Sequence, residues 1–180
     1  MFTKLDLRWE YNNVRIKEGD EWKIAFTMYI GAYEPTVMYF GLMNSPTTFQ
    51  TMMNDLFRDL INQGDMATFI NNILVAMDTE EGHNKLVEEV LKRLEENDLF
   101  VKPEKYKWKV REMEFLGVVI GPKGVEMQRE KVEGVLNWPV SRNVKEVQKF
   151  PGLTNYYKRF IKDFTKIAAL LHMLVRKEQK

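Results

Sequence analysis

ATFINNILVAM, residues 67–77, decides the fold. It is a short apolar run broken only by Asn71-Asn72. Two apolar segments meeting at two asparagines predict a tight β-hairpin, because asparagine tolerates positive φ. Upstream, Asn44-Ser45-Pro46 gives a polar cap followed by proline, which predicts a helix start. Phe49, Met52, Met53, Leu56, Phe57 and Leu60 then recur at helical spacing, and Gly64 can end the run. Downstream, Thr79 can cap a second helix carrying Leu86, Val87, Val90, Leu91 and Leu94.

Further out, residues 2–7 read as a strand, with Lys4 and Asp6 alternating against Thr3, Leu5 and Leu7. Residues 24–28 and 33–38 are two β-rich runs around Gly31, predicting a hairpin. Two short strands are expected around 107–110 and 114–120, with a turn at Gly121-Pro122-Lys123-Gly124. After Met127 the pattern becomes helical. Residues 129–137 end at Trp138-Pro139, and Asn143 caps a helix that Pro151-Gly152 should stop. Residues 153–175 form a long basic, aromatic-rich helical region, broken once. The order ββ(β)αββαββ followed by three helices predicts an α+β domain, helices on one face of an antiparallel sheet, with a small closing bundle.

Composition narrows the classes. The chain has 180 residues, 44% hydrophobic, and no cysteine, so disulfides and thiolate metal sites are excluded. The charged opening residues do not make a signal peptide, and the apolar stretches fall short of a membrane span. An intracellular location is the expectation. The net charge of +1 hides an asymmetry: from Arg142 to Lys180 there are ten Lys/Arg against three acids. A basic tail on an acidic body suits a polyanion partner; a solvated helical face would read the same way.

Five segments, in order, resemble the reverse transcriptases of gypsy-type long-terminal-repeat retrotransposons. FTKLDLRWEYNNVRI (2–16) resembles the first catalytic motif, and VMYFGLMNSPTTFQTMMND (37–55) the nucleotide-site strand and following helix. FINNIL (69–74) sits at the aromatic-x-Asp-Asp hairpin, EFLGVVI (114–120) resembles the primer grip, and VLNWPVSRNVKEVQKFPGLTNYYKRFIKDFTKIAALL (135–171) the thumb. The resemblance implies partial fingers and palm over 1–126 and a helical thumb over 127–180. It also implies that a further fingers segment would precede the first motif.

In that family, nucleotidyl transfer uses two divalent metals, Mg²⁺ or Mn²⁺, held by carboxylates that neutralise them. The resemblance places the first carboxylate at Asp6 and the other two at positions 71 and 72, which here are Asn71 and Asn72. Asparagine has nearly the shape of aspartate but no charge. A metal at Asp6 should therefore be weak or lost, and the expected protein is a catalytically silent relative that still binds an RNA/DNA template–primer. The nucleotide-binding residues implied are Leu7, the steric-gate Tyr11, Phe40 and Gly41. The nucleic-acid contacts implied are Gln50, Phe115, Leu116, Gly117, Lys145, Lys149, Tyr157, Lys158 and Arg159. Trp9-Glu10 replaces a pair that is usually small, Tyr39 replaces proline, and Met28 lies where a basic residue is expected. Two rival readings stand beside this: an active RNA-directed DNA polymerase deliberately inactivated or truncated, and a co-opted interaction or structural protein. Unpaired strand edges could support self-association.

Read plainly, Asp6 without its motif is an exposed strand residue, and Asn71-Asn72 is a good turn. His83 and His172 are isolated. Of Tyr156 and Tyr157, at least one should be buried, because each falls on an apolar helical stripe with Phe160, or with Ile161 and Phe164.

Overall fold

The computed structural model describes residues 1–175; Arg176, Lys177 and Lys180, part of the basic tail, lie outside the described residues. The chain divides into two compact units, Met1–Met113 and Glu114–Lys180. The division falls before the segment 114–126.

The first unit is built on strand β1 (Phe2–Asp6), followed by a small hairpin of β2 (Phe26–Met28) and β3 (Gly31–Tyr33). Helices α1 (Ser45–Leu56) and α2 (Arg58–Gln63) lead to β4 (Met66–Phe69) and β5 (Asn72–Ala76). Helix α3 (Glu80–Glu96) and strand β6 (Lys107–Val110) complete it. The sheet order is β4-β5-β1-β6, all antiparallel. Alternation places Leu5, Leu7, Ile73 and Val75 on one face. That face packs against Phe49, Met53 and Phe57 from the α1–α2 region and Val87, Val90 and Leu94 from α3. Each such side chain contributes about 1.5–3 kcal/mol by leaving water. At the β6 edge the pairing with β1 slips between Phe2 and Lys4, and Lys109 sits at φ 48°.

Gly64 ends α2 at φ 87°, a conformation that suits glycine, as its position predicted. Thr79 caps α3 by accepting from the Gly82 N–H at 3.3 Å. Asn44 precedes α1 without a side-chain cap bond, and α1 is interrupted at Phe57, so the single expected helix is two. The second β-rich run is also shorter than expected. β3 ends at Tyr33, and residues 36–38 run instead beside residues 14–16: Arg15 and Val37 form a bridge, the Ile16 N–H donates to the Thr36 carbonyl and the Met38 N–H to the Val14 carbonyl, both at 2.9 Å. In the Asn71-Asn72 hairpin the two turn residues are Ile70 and Asn71, and Ile70 takes the positive φ, 51°.

A three-stranded sheet of β7 (Met113–Phe115), β8 (Val118–Gly121) and β9 (Gly124–Met127) opens at the division and lies in the second unit from Glu114 on. The single strand expected over 114–120 is thus two, joined by a tight turn with positive φ at both Leu116 (47°) and Gly117 (78°). Helices α4 (Arg129–Leu136), α5 (Val144–Tyr156) and α6 (Phe164–Leu174) follow. Asn143 caps α5, its Oδ1 accepting from the Glu146 N–H at 3.0 Å. α5 does not stop at Pro151-Gly152 but runs through to Tyr156. Proline removes one backbone donor, and the Thr154 hydroxyl, donating to the Phe150 carbonyl at 2.9 Å, still ties the turns together. Trp138 packs edge-on against Phe150, centroids 5.4 Å apart.

Candidate active site and nucleic-acid-binding residues

Asp6 ends β1 directly opposite Asn72 on β5. The Leu7 N–H donates to the Asn71 carbonyl at 2.8 Å, so the hairpin tip is fastened to the strand that carries the carboxylate. Side chains continue the arrangement. Asn72 Nδ2 donates to Asn71 Oδ1 at 2.9 Å, and Asn71 Nδ2 approaches Asp6 Oδ1 at 3.4 Å. The sequence reading brought these three residues together, and the fold does so.

It did not find Lys102. Residues 100–102 run antiparallel beside residues 6–8: the Arg8 N–H donates to the Phe100 carbonyl, and the Lys102 N–H to the Asp6 carbonyl, at 2.7 and 2.8 Å. This register sets Lys102 Nζ 3.0 Å from Asp6 Oδ1, with the carboxylate side chain only 10% exposed. Nothing local in the sequence signals the pairing. The one available cue is Pro103, which favours an extended conformation for the residue before it.

Gln50, which the resemblance implies as a nucleic-acid contact, is bonded within the first unit. From α1 its Oε1 accepts the Ile70 N–H at 2.6 Å, and its Nε2 donates to Asn54 Oδ1 at 2.8 Å and to Thr68 Oγ1 at 3.1 Å. It braces the hairpin and offsets the unfavourable positive φ of a β-branched residue.

Leu7 is fully buried core. Tyr11 is buried too, edge-on to Phe40 at 4.8 Å and to Phe49 at 6.0 Å. Burial raises its phenol pKa, with Glu10 adding to the effect. Phe40 and Gly41 are exposed. His83, set aside as an ordinary residue, is fully buried, its Nε2 2.7 Å from Thr3 Oγ1.

In the second unit, Phe115 and Tyr157 are buried, so neither ring faces solvent. The Tyr157 hydroxyl donates to the Gly117 carbonyl at 3.3 Å, and the exposed Tyr156 donates to the Leu116 carbonyl. Burial raises the Tyr157 pKa, and Tyr156 adds to it. Leu116 and Gly117 are half-buried, whereas Lys145, Lys149, Lys158 and Arg159 are exposed on α5 and the turn after it.

Two divalent cations need several anionic oxygens. Here one carboxylate, already neutralised by an ammonium, stands with two neutral amides. Among the described residues no three His, Cys, Asp or Glu side chains converge. The residues present do not fit the family's metal pair.

Comparison with known proteins agrees with this architecture. The profile of "Reverse transcriptase (RNA-dependent DNA polymerase)" matches residues 1–120. The Transposon Tf2-7 polyprotein of Schizosaccharomyces pombe is 32% identical over 178 residues, 99% of this chain. The Tf2-3 polyprotein of the same organism is 31% identical over the same length. This chain spans 13% of each of those relatives. Solved structures of the foamy viral protease-reverse transcriptase superpose with TM-scores of 0.84 and 0.87 at 26% identity. They cover 99% of this chain and 24% and 31% of theirs. The chain belongs to the reverse transcriptase family, in its gypsy-type long-terminal-repeat retrotransposon branch.

Proposed function

We propose that this chain is a catalytically silent reverse-transcriptase relative that binds nucleic acid through its sugar–phosphate backbone. The observation that carries the silent half is the Asp6 carboxylate, paired with Lys102 and faced by the amide of Asn71 instead of by further carboxylates. Without anionic oxygens to gather two metals, the primer hydroxyl is not activated and the pyrophosphate is not stabilised. Removing one electrostatic stabiliser typically costs about 10²–10³ in rate, and here two are replaced.

The binding half is supported by the exposed Lys145, Lys149, Lys158 and Arg159. It is also supported by the relatives: the foamy viral enzyme has been solved in complex with an RNA/DNA hybrid and with double-stranded DNA. Template–primer is the partner proposed. Among the described residues no helix is long and apolar enough to cross a membrane.

A gel-shift series on an RNA/DNA hybrid tests the reading. Four phosphate contacts give a log–log salt slope of roughly −3 to −4. Primer extension with Mg²⁺ or Mn²⁺ should give no product above the protein-free control. Absence of any shift at low salt defeats the binding half, and templated extension defeats the silent half.

A further inference from the structure

We propose that Lys102 is a built-in counter-ion to Asp6, which makes nucleic-acid binding by this protein independent of divalent metal; this rests on the nucleic-acid reading above. A largely buried carboxylate needs a partner. In a two-metal polymerase site the partners are cations drawn from solution, so the site is anionic until they arrive. Here the partner is covalently part of the chain. Lys102 is held by its backbone bond to the Asp6 carbonyl at 2.8 Å, and its ammonium lies 3.0 Å from the carboxylate oxygen. The lysine side chain is 23% exposed, so the pair sits at the surface of the first unit, not deep within it.

The asparagines complete the change. Asn71 turns an amide N–H toward Asp6 Oδ1, the oxygen that Lys102 also faces, and Asn72 turns one toward Asn71. The local charge is close to zero without any metal. A phosphate backbone approaching Asp6 meets a carboxylate already compensated by Lys102, and a divalent cation finds that carboxylate paired.

The test has two arms, each on the full chain with folding checked by circular dichroism. In the first, fluorescence anisotropy with an RNA/DNA hybrid is run in Mg²⁺ and in EDTA at matched ionic strength. The native protein should bind equally well in both, within twofold. Lys102→Met should weaken binding in EDTA on the order of fivefold, by leaving Asp6 unopposed. Mg²⁺, or the second substitution Asp6→Asn, should restore it, and Lys102→Arg should behave as native. In the second arm, without nucleic acid, Mn²⁺ is titrated while backbone amide resonances are followed. The native protein should show no selective broadening at Asp6 and Asn72, whereas Lys102→Met should show it and Lys102→Met/Asp6→Asn should not.

Native binding that requires Mg²⁺, or native broadening at Asp6, overturns the proposal. So does a Lys102→Met protein indistinguishable from native in both arms. If no protein binds the hybrid, the nucleic-acid reading fails and the Mn²⁺ arm still decides whether Lys102 excludes the cation.

Discussion

Gly117→Ala puts the turn between β7 and β8 to a quantitative test. Gly117 sits at φ 78°, where alanine is disfavoured by roughly 1–2 kcal/mol. A methyl group there would stand 3.0 Å from the Tyr157 hydroxyl and 3.7 Å from Tyr156 Cε1. The hydroxyl must therefore move, weakening its bond to the Gly117 carbonyl, a further loss of about 0.5–1 kcal/mol. Reduced freedom of the unfolded alanine chain offsets about 0.4–1 kcal/mol. The net destabilisation is about 1–2 kcal/mol. A urea titration followed through the amide resonances of Val118–Gly121 reads it as a lower midpoint at unchanged slope. Tyr157→Phe removes both the bond and the crowding oxygen. In that background Gly117→Ala should cost about 0.5–1 kcal/mol less, a coupling that a double-mutant cycle resolves. Equal costs in the two backgrounds would refute the idea that the tyrosine hydroxyl holds this turn, and a stabilising Gly117→Ala would refute the whole account.

Burial, then the positive charges of the N-terminus and Lys109, hold His83 below its usual pKa of 6.5. The unfolded chain then binds the proton first, so stability is full above pH 6.5. It declines as pH falls from 6.5 toward the depressed value, by up to about 1.4 kcal/mol per unit, and His83→Gln should flatten that part of a pH–stability curve. Arg93 grips Asp59 with two bonds, of 2.6 and 2.8 Å, and holds its carboxyl down to about 2. Its contribution to stability is present above the ordinary carboxylate pKa and is lost as pH falls toward 2; in Arg93→Met, an NMR titration should find Asp59 back near 4. Asn71→Asp with Asn72→Asp adds two like charges beside Asp6. The melting temperature should fall in EDTA, by the equivalent of about 1–2 kcal/mol, and recover in Mg²⁺, while the native protein responds to neither.

How far the fold could be read varied with the range of the forces involved. β1 was legible because Thr3, Leu5 and Leu7 alternate with charged residues, and that alternation alone turns one face to the core. The caps at Thr79 and Asn143 were legible because a side chain and a backbone N–H a few residues on decide them. Pro151 misled for the opposite reason. Its local veto is one missing hydrogen bond, outweighed by Phe150 against Trp138 and by buried Thr154 and Tyr157. Ile70 in the turn, with positive φ, needs Gln50 on another helix to hold it, and no local propensity reports that. At the site, the juxtaposition of Asp6 with Asn71 and Asn72 came from recognising the motif. Lys102 did not, since its position depends on a backbone register between segments remote in sequence.

The slipped pairing at the β6 margin has a consequence for how this sheet meets other chains. A flat outer strand offers evenly spaced donors and acceptors and can recruit a neighbour's strand into a growing ribbon. β6 offers no such template. Its register against β1 shifts, Lys109 turns the backbone out of the extended form, and Lys107 and Lys109 place charge on the rim. Lys109 is further engaged by Glu80 at 2.8 Å. The sheet therefore ends in an uneven, charged border that discourages edge-to-edge stacking on that side. On the opposite border β4 pairs regularly with β5 and carries no charged residue along Met66–Phe69. If partly unfolded copies aggregate, β4 is where cross-chain pairing should begin.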